Sequence, residues 1–370
     1  MARHRSAWMG FSSAKTRMRN RLGVWAVAVA GLIGSGAVPV AADVAARAAV
    51  SDIAGSERLQ IFAYGKLLAT GTAPRPAVLR MKQAMVDQGF YYDPGAEPLI
   101  AHDVWAAPVL RYDGNINGGV LRDSFSFRGF TFDTTPAFRA KAGAVVGLDA
   151  GGSVRLGWDN GRYIEAGVRG EAVWSPHYQI GGGSDEAHLC SRNHLTGWTF
   201  LDLCHSVSAT SRALGSSTSQ TTDLALSQLF AAGPGYHELT ASLARQDNGT
   251  GDQTAVSLAW NAVWDRAATN LSLTYAAPIM GQTALRRRVA LGVRWPWRGQ
   301  SLGLDLWQQA ASGGTFLGTP RADRATGIDL SYGIARGLTT EVGYMINRST
   351  VDFFRYDQLS LTLRIDNLRW

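Results

Sequence analysis

From about Trp105 to the last residue, apolar side chains recur at every second position, the period of a β-strand with two unlike faces. In 256–264 the even positions read Val256, Leu258, Trp260, Ala262 and Trp264, with Ser257 and Asn261 between them. In 289–297 the odd positions read Val289, Leu291, Val293, Trp295 and Trp297 against Arg288, Gly292 and Arg294. The pattern returns in Leu302, Leu304 and Leu306, then in Ile328, Leu330, Tyr332 and Ile334. It continues through Leu338, Thr340, Val342, Tyr344 and Ile346, and ends in Leu359, Leu361, Leu363 and Ile365. Such a run belongs either to a sandwich with one face in its core or to a wall with lipid on one side and water on the other.

Three features select the second. The segments are ~10–14 residues long, where soluble strands average about 5–6. They are joined alternately by tight turns (297–300, 335–337) and longer polar stretches (246–253, 310–324), the asymmetry of short periplasmic turns and long external loops. Aromatics gather at segment ends, at Trp260, Trp264, Trp295, Trp297, Trp307 and Tyr344, as interfacial girdles require. No later stretch reaches the ~18 consecutive apolar residues of a membrane helix. A spanning chain of this kind is therefore a closed barrel, which alone satisfies every strand amide in lipid. The expected fold is all-β: a transmembrane antiparallel outer-membrane β-barrel over residues 104–370. Fourteen or fifteen strands can be counted, and an even number with both ends periplasmic selects about 14. The count puts 176–193, read as a long loop carrying Cys190, on the periplasmic side. Leu368 and Trp370 fall out of phase with positions 359–365, which a bulge near Asn367 reconciles.

The N-terminus has the form of a leader. Arg3, Arg5, Lys15, Arg17, Arg19 and Arg21 precede the apolar run 22–38, and Val40-Ala41-Ala42 offers the small residues a signal peptidase needs. Residues 1–42 are expected to be a signal peptide cut before Asp43. They hold six of the seven net positive charges, so the remainder is near neutral and lacks the basic face of a nucleic-acid binder. Residues 43–103 are expected to be a short, partly helical periplasmic segment. Its alanine-rich start, 43–58, reads as loose. Residues 59–90 read as a helical pair interrupted at Pro74 and Pro76, serving as a cap on the periplasmic mouth, a docking element or a tether.

Cys190 and Cys204 are the only cysteines. Export favours a loop disulfide over free thiols. His188, His194 and His205 lie nearby, but the spacing matches no zinc pattern, so no metal is expected. No nucleophile–base arrangement, phosphate loop or metalloprotease motif occurs; His205-Ser206 is the only adjacent His/Ser pair. No catalytic residue and no cofactor are expected. The face opposite the apolar residues carries Arg286, Arg288, Arg294, Asp305, Asp329, Glu341 and Arg364. These read either as a salt-bridged interior or as a conduit that guides cargo, with Arg286, Arg288, Arg294, Asp305 and Glu341 as the transport candidates.

The barrel opens on Pro108-x-Leu110-x-Tyr112-Asp113-x-Asn115-Ile116-Asn117-Gly118 and closes on Tyr344, Asn347-Arg348-Ser349, Tyr356-Asp357 and a final strand ending in Trp370. Both ends resemble the barrel of the surface lipoprotein assembly modifiers. The resemblance spans residues 105–370 and implies a fourteen-stranded barrel that delivers lipoproteins, or related secreted proteins, to the cell surface. Its partners would be outer-membrane lipid, the barrel assembly machinery and a lipoprotein cargo. That family usually carries a helical-repeat domain where this chain has only residues 43–103. A passive porin for small solutes and an adhesive barrel acting through its loops are the competing readings.

Overall fold

A computed structural model describes residues 40–335, 337–365 and 368–369; the first 39 residues of the expected leader, and Asn367, lie outside the described part. Three helices lead: α1 (Val40–Ser51), α2 (Glu57–Ala69) and α3 (Arg75–Asp87). Strand β1 (Leu99–Asp113) is followed by a small hairpin, β2 (Ser124–Phe127) and β3 (Phe130–Asp133). Then come β4 (Gly143–Asp159), β5 (Arg162–Ser175), β6 (Ile180–Thr196), β7 (Thr199–Arg212), β8 (Gly215–Ala232) and β9 (Gly235–Asp247). The wall continues with β10 (Asp252–Val263), β11 (Ala268–Ala276), β12 (Ala284–Trp297), β13 (Gln300–Phe316), β14 (Thr319–Ala335), β15 (Leu338–Ser349), β16 (Tyr356–Ile365) and the short β17 (Leu368–Arg369).

Each strand from β4 to β16 pairs antiparallel with its sequence neighbour, and β1 pairs with β4 on one side and β16 on the other. With β17 as the tail of β16, this is a closed barrel of fourteen strands. The closing register is Val109↔Arg364 above and Trp105↔Arg369 below. The sum of paired numbers steps by one between them, so one extra residue sits on the C-terminal strand, as its phase in the sequence requires.

The faces follow the alternation. Every one of the fourteen strands exposes a large apolar residue on its outer side, among them Val168 at 63%, Leu189 at 55% and Leu258 at 43%. A soluble protein does not expose an apolar belt around its whole circumference; hydrocarbon is the solvent that fits it. At the end that carries both termini, all turns are two to four residues long; at the other end lies the 29-residue stretch 114–142. By the usual asymmetry the first end is periplasmic and the second extracellular. Just above the periplasmic edge, Phe230, His237, Trp260 and Trp264 form an outward aromatic cluster with centroids 5.2–6.2 Å apart. Trp260 Nε1 donates to His237 Nδ1 at 3.2 Å, which suits rings with one wet and one apolar side.

Several sequence expectations are corrected here. The stretch 176–193 is no loop: β6 runs from Ile180, and only 176–179 connect it to β5. The polar stretch 310–324 is mostly strand, with a connection of only 317–318, and half of 246–253 is strand, with a connection of 248–251. Beyond the membrane both faces of a strand meet water, so the alternation fades although pairing continues. Trp307 is not in the girdle. It points into the lumen, donates to Asp329 at 3.1 Å and lies 4.8 Å beneath the Arg288 guanidinium. Residues 43–51, expected to be loose, belong to α1.

The helices form a small bundle. Ser56 caps α2 by accepting from Leu59 N at 3.1 Å, and Pro76 lies in the first turn of α3, where a missing N–H costs nothing. Pro74 and Pro76 therefore start a helix rather than interrupt one. Val44, Ala48, Tyr64, Leu67 and Ala77 are buried together between the three helices. Burial pushes the Tyr64 phenol pKa up, Arg80 opposing, so it stays a donor to Asp52 at 2.8 Å.

Candidate functional site: a polar lumen capped from the periplasm

The helical bundle closes on the barrel through two kinds of contact. The first is apolar. Val50, Leu59, Phe62 and Ala63 are buried against the lumen residues Phe200, Leu229, Tyr236, Val263 and Ala268. These lie at the periplasmic ends of β7 to β11, so α1 and α2 sit in the mouth. Phe62 meets Trp198 and Tyr236 edge-on at 4.8 and 5.5 Å. Burying side chains of this size stabilises by about 1.5–3 kcal/mol each. The chain after α3 is tied down as well, by Asn160 Nδ2 to Phe90 O at 2.7 Å and Gly161 N to Gly89 O at 2.8 Å.

The second contact is ionic. The first turn of α2 reaches into the lumen, and its Arg58 grips Asp202 of β7 with two hydrogen bonds, 2.8 and 2.7 Å. Asp202 also accepts from Arg192 at 3.2 Å, Arg192 donates to Glu165 at 3.2 Å, and Glu165 accepts from Arg155 at 2.8 Å. Arg155 returns to α2 through Glu57 at 3.0 and 3.2 Å. Three arginines and three carboxylates thus alternate in a chain that begins and ends on α2 and crosses β4 to β7. The side chains of Arg58 and Asp202 are only 13% and 7% exposed. Charge-assisted bidentate bonds of this geometry are the strong ones, and removing one partner of a well-buried pair costs roughly 3–5 kcal/mol. At the far side Arg47 of α1 donates to Asp265, in the β10–β11 turn, at 2.7 Å.

Above this network the barrel wall carries the disulfide. Cys190 of β6 faces Cys204 of β7 as a direct cross-strand pair, Cα atoms 4.1 Å apart. The expectation of a loop disulfide is corrected in place only: the bond exists but bridges two strands on the lumen side. In the same ladder the inward pair below it is Arg192 and Asp202, and the pair above is His188 and Ser206. His194 also points inward, against Phe90 at 5.2 Å, while His205 sits on the outer face beside Thr222 at 2.8 Å.

The upper lumen is a cavity of about 510 Å³. Arg111 donates twice to Glu171, at 2.7 and 2.9 Å, and Arg169 twice to Asp149, at 3.0 and 2.6 Å, with its guanidinium 5.7 Å over Trp105. Ser184 and Glu186 of β6 stand directly beside Glu171 and Arg169, and Ser208 and Thr210 of β7 extend the same wall. Over its top lies the 114–142 segment. Asn117, 2% exposed, donates to Arg139 O and accepts from Lys141 N at 2.8 and 2.9 Å. Its carbonyl takes the Leu214 amide at the β7–β8 turn. Asp113 and Asn115 cap the same bend, at 2.8 Å from Asn115 N and Gly119 N. The segment's hairpin docks on the β15–β16 connection, where Phe125 packs on Phe353 at 4.9 Å and Arg122 pairs with Asp352 at 3.5 Å.

Of the predicted transport residues, Arg286, Arg288, Arg294 and Asp305 lie on β12 and β13, whereas Glu341 lies on β15 in the same cross-strand row as Arg111, with Thr362 between them. Arg294 pairs with Asp305 at 2.6 Å and Arg288 donates to Gln309 at 2.8 Å. Glu341 pairs with Arg364 at 3.6 Å. Arg286 sits at a bulge in β12, its Nη1 buried without a hydrogen-bond partner. Of the family-like residues, Tyr112 is an outward residue of β1, Asn347 is buried and donates to Phe354 O at 2.6 Å, and Arg348 is exposed on the outer surface. The residues that sequence reasoning missed are those of the α2 network. Their signal was present: Arg155 stands between Val154 and Leu156, Glu165 between Ile164 and Ala166, and Asp202 between Leu201 and Leu203. A charge flanked by two outward apolar residues points into the lumen.

These features define a class: a fourteen-stranded outer-membrane β-barrel with a polar interior, capped from the periplasm by its own N-terminal helices. No protein-family model matches the sequence, and no curated protein matches it. Among solved structures it is similar to Pseudomonas aeruginosa OpdK with vanillate, at 12% identity and a TM-score of 0.42, over 73% of this chain and 98% of that one. It is similar to Acinetobacter baumannii OccAB4, at 6% and 0.37, over 73% and 97%. It is also similar to a BenF-like porin from Pseudomonas fluorescens Pf-5, at 6% and 0.39, over 75% and 100%.

Proposed function

We propose that this barrel is a gated channel for small polar solutes, with the helices 40–87 as the gate. The observation that carries the reading is the ion network joining α2 to the lumen wall. A permanently plugged, structural barrel has no use for charges inside its seal, because buried ion pairs contribute little net stability compared with apolar packing. Charges there keep a seal reversible. The lumen above, with arginines and carboxylates on facing strands, suits a solute that carries its own polar groups. The test is conductance of the purified full chain in planar bilayers, together with swelling of liposomes in small sugars and organic acids. Discrete openings, made more frequent by Arg58→Gln, support the channel. Absence of any conductance in both proteins overturns it.

A second reading, lipoprotein delivery to the surface, is supported by the motifs at the first strand and the last hairpin. Deleting the gene and comparing protease-accessible lipoproteins on intact cells tests it. One lipoprotein that stays in the envelope but leaves the surface would establish this reading; an unchanged surface set would remove it.

A further inference from the structure

The outer face of the barrel carries a row of arginines in cross-strand register. The register places Tyr275 beside Arg287, Arg287 beside Ala310, Ala310 beside Arg324 and Arg324 directly opposite Arg348. Since Asn347 pairs with Tyr356, Arg355 is the next neighbour of Arg348. All four arginines are exposed. Arg287, Arg324 and Arg348 make no ion pair or hydrogen bond among the described residues; Arg355 is held by Ser349 O at 2.7 Å and Asp352 at 3.7 Å. Of the carboxylates beside the row, Asp352 is shared by Arg122 and Arg355 and Asp357 accepts from the Tyr344 hydroxyl at 3.2 Å. Elsewhere on this rim the outward Arg245 is neutralised by Asp252.

Like charges directly opposite on a sheet destabilise it, so the row needs a counter-charge from outside the chain. Its height says where that charge is. Along β15 the outward residues below Arg348 are Ile346, Tyr344, Val342, Thr340 and Leu338. Ten residues at about 3.3 Å, tilted about 40°, span roughly 25 Å, the height of an apolar barrel belt. The arginines therefore stand at the extracellular edge of the hydrocarbon, where lipid phosphates lie. From Arg287 to Arg348 is three strand spacings, about 14 Å, wide enough to meet more than one phosphate. A groove of about 760 Å³ opens at the same place, lined by Arg122, Arg348 and Arg355, by Asp123, Asp352 and Asp357, and by Tyr344 and Ile346. Arg122 and Arg355 are paired there with Asp352, which leaves Arg348 as the groove's unpaired cation.

We infer that this row is a binding site for the phosphorylated lipid of the outer leaflet, separate from the lumen. Guanidinium forks match phosphate oxygens two at a time. The test is reconstitution of the full chain into phosphatidylethanolamine vesicles doped with bis-phosphorylated lipid A, followed by gentle extraction and mass-spectrometric counting of lipid A retained per barrel. Arg287→Gln with Arg324→Gln and Arg348→Gln should lower retention at least about tenfold, and the three lysine substitutions should keep most of it. Dephosphorylated lipid A should be retained by the unaltered barrel as weakly as lipid A by the glutamine variant. Equal retention by the glutamine variant, or equal retention of the dephosphorylated lipid, overturns the inference. So does release of lipid A by millimolar inorganic phosphate, which would mark a site for free anions. If the glutamine variant fails to fold, the dephosphorylated lipid on the unaltered barrel decides alone.

Discussion

Neutralising Asp202 should unseat the cap. Its carboxylate is shared by Arg58 of α2 and Arg192 of β6, which donate to it at 2.7–3.2 Å. In Asp202→Asn, Arg192 keeps Glu165, but Arg58 loses its ion-pair partner among the described residues and faces Arg192 across a neutral amide. For a fully buried pair the cost is about 3–5 kcal/mol. This one borders a wet lumen and is about a tenth exposed, so about 2–3 kcal/mol is the reasonable figure. The seated state loses that amount and the unseated state, with its charges in water, loses almost none. At 1.4 kcal/mol per tenfold, the unseated fraction rises about 30- to 140-fold. Single-channel recording in planar bilayers reads this as open probability. Asp202→Glu should stay near the unaltered protein, and raising salt from 0.1 to 1 M should shrink the difference, because the Debye length falls from about 10 to 3 Å. Phe62→Ala attacks the apolar half of the same seal, at about 3–5 kcal/mol. If Asp202→Asn and Phe62→Ala both fold and both leave open probability unchanged, the helices are no gate.

Three further outcomes test the architecture. Leu258→Arg places a charge on the outer face near mid-belt and should cost about 2–4 kcal/mol in urea unfolding from vesicles, whereas Ser257→Arg, one residue away and facing the lumen, should cost less than about 1 kcal/mol; similar costs would mean that the faces are misassigned. Replacing Cys190 and Cys204 by serine removes a cross-link over 14 residues and should lower stability by up to about 3 kcal/mol, seen as an earlier urea midpoint that reductant reproduces in the unaltered chain. Asn117→Ala deletes the three hydrogen bonds its side chain makes within the first external segment, costing about 1–3 kcal/mol, and should make 114–142 protease-sensitive on intact cells while the barrel resists; an unchanged digestion pattern would show that the loop is held elsewhere.

How much of this was readable in the sequence depends on which physical cue each part left behind. The belt strands were legible because lipid and water impose opposite demands on neighbouring residues, as in Val256 to Trp264. The strand extensions were not. In β7 and β8, serine and threonine fill both faces from 206 to 222, because both faces meet water there, and the same loss of contrast turned β6 into an apparent loop. Trp307 was misread by residue type, although its odd position against Leu302, Leu304 and Leu306 already assigned it to the lumen. The cap network was invisible for another reason. Arg58 and Asp202 are 144 positions apart, and only barrel closure and helix docking bring them together. The outer arginine row is likewise a property of register: Arg287, Arg324 and Arg348 share no sequence period.

The division of labour within the seal explains why it can be both tight and reversible. A mouth sealed by apolar contacts alone would favour the closed state, because unseating would expose Leu59 and Phe62 together with Phe200, Leu229 and Val263 to water at once. The α2 network changes that balance. Five of its six charges are largely desolvated when the cap is seated, Glu57 alone staying more than half exposed, so the pairs add geometry more than net affinity. They fix where α2 sits, since Glu57 and Arg58 must meet Arg155 and Asp202 on different strands at the same time. A solute with its own carboxylate arriving from the upper lumen could compete for Arg192 and Arg155, whose partners it would displace. Such a solute would bind the unseated state better than the seated one, which is the differential affinity any ligand-driven opening requires. Carboxylated solutes should therefore raise open probability in the unaltered barrel, and this effect should be absent in Arg155→Gln combined with Arg192→Gln; equal responses to neutral and carboxylated solutes would refute the coupling.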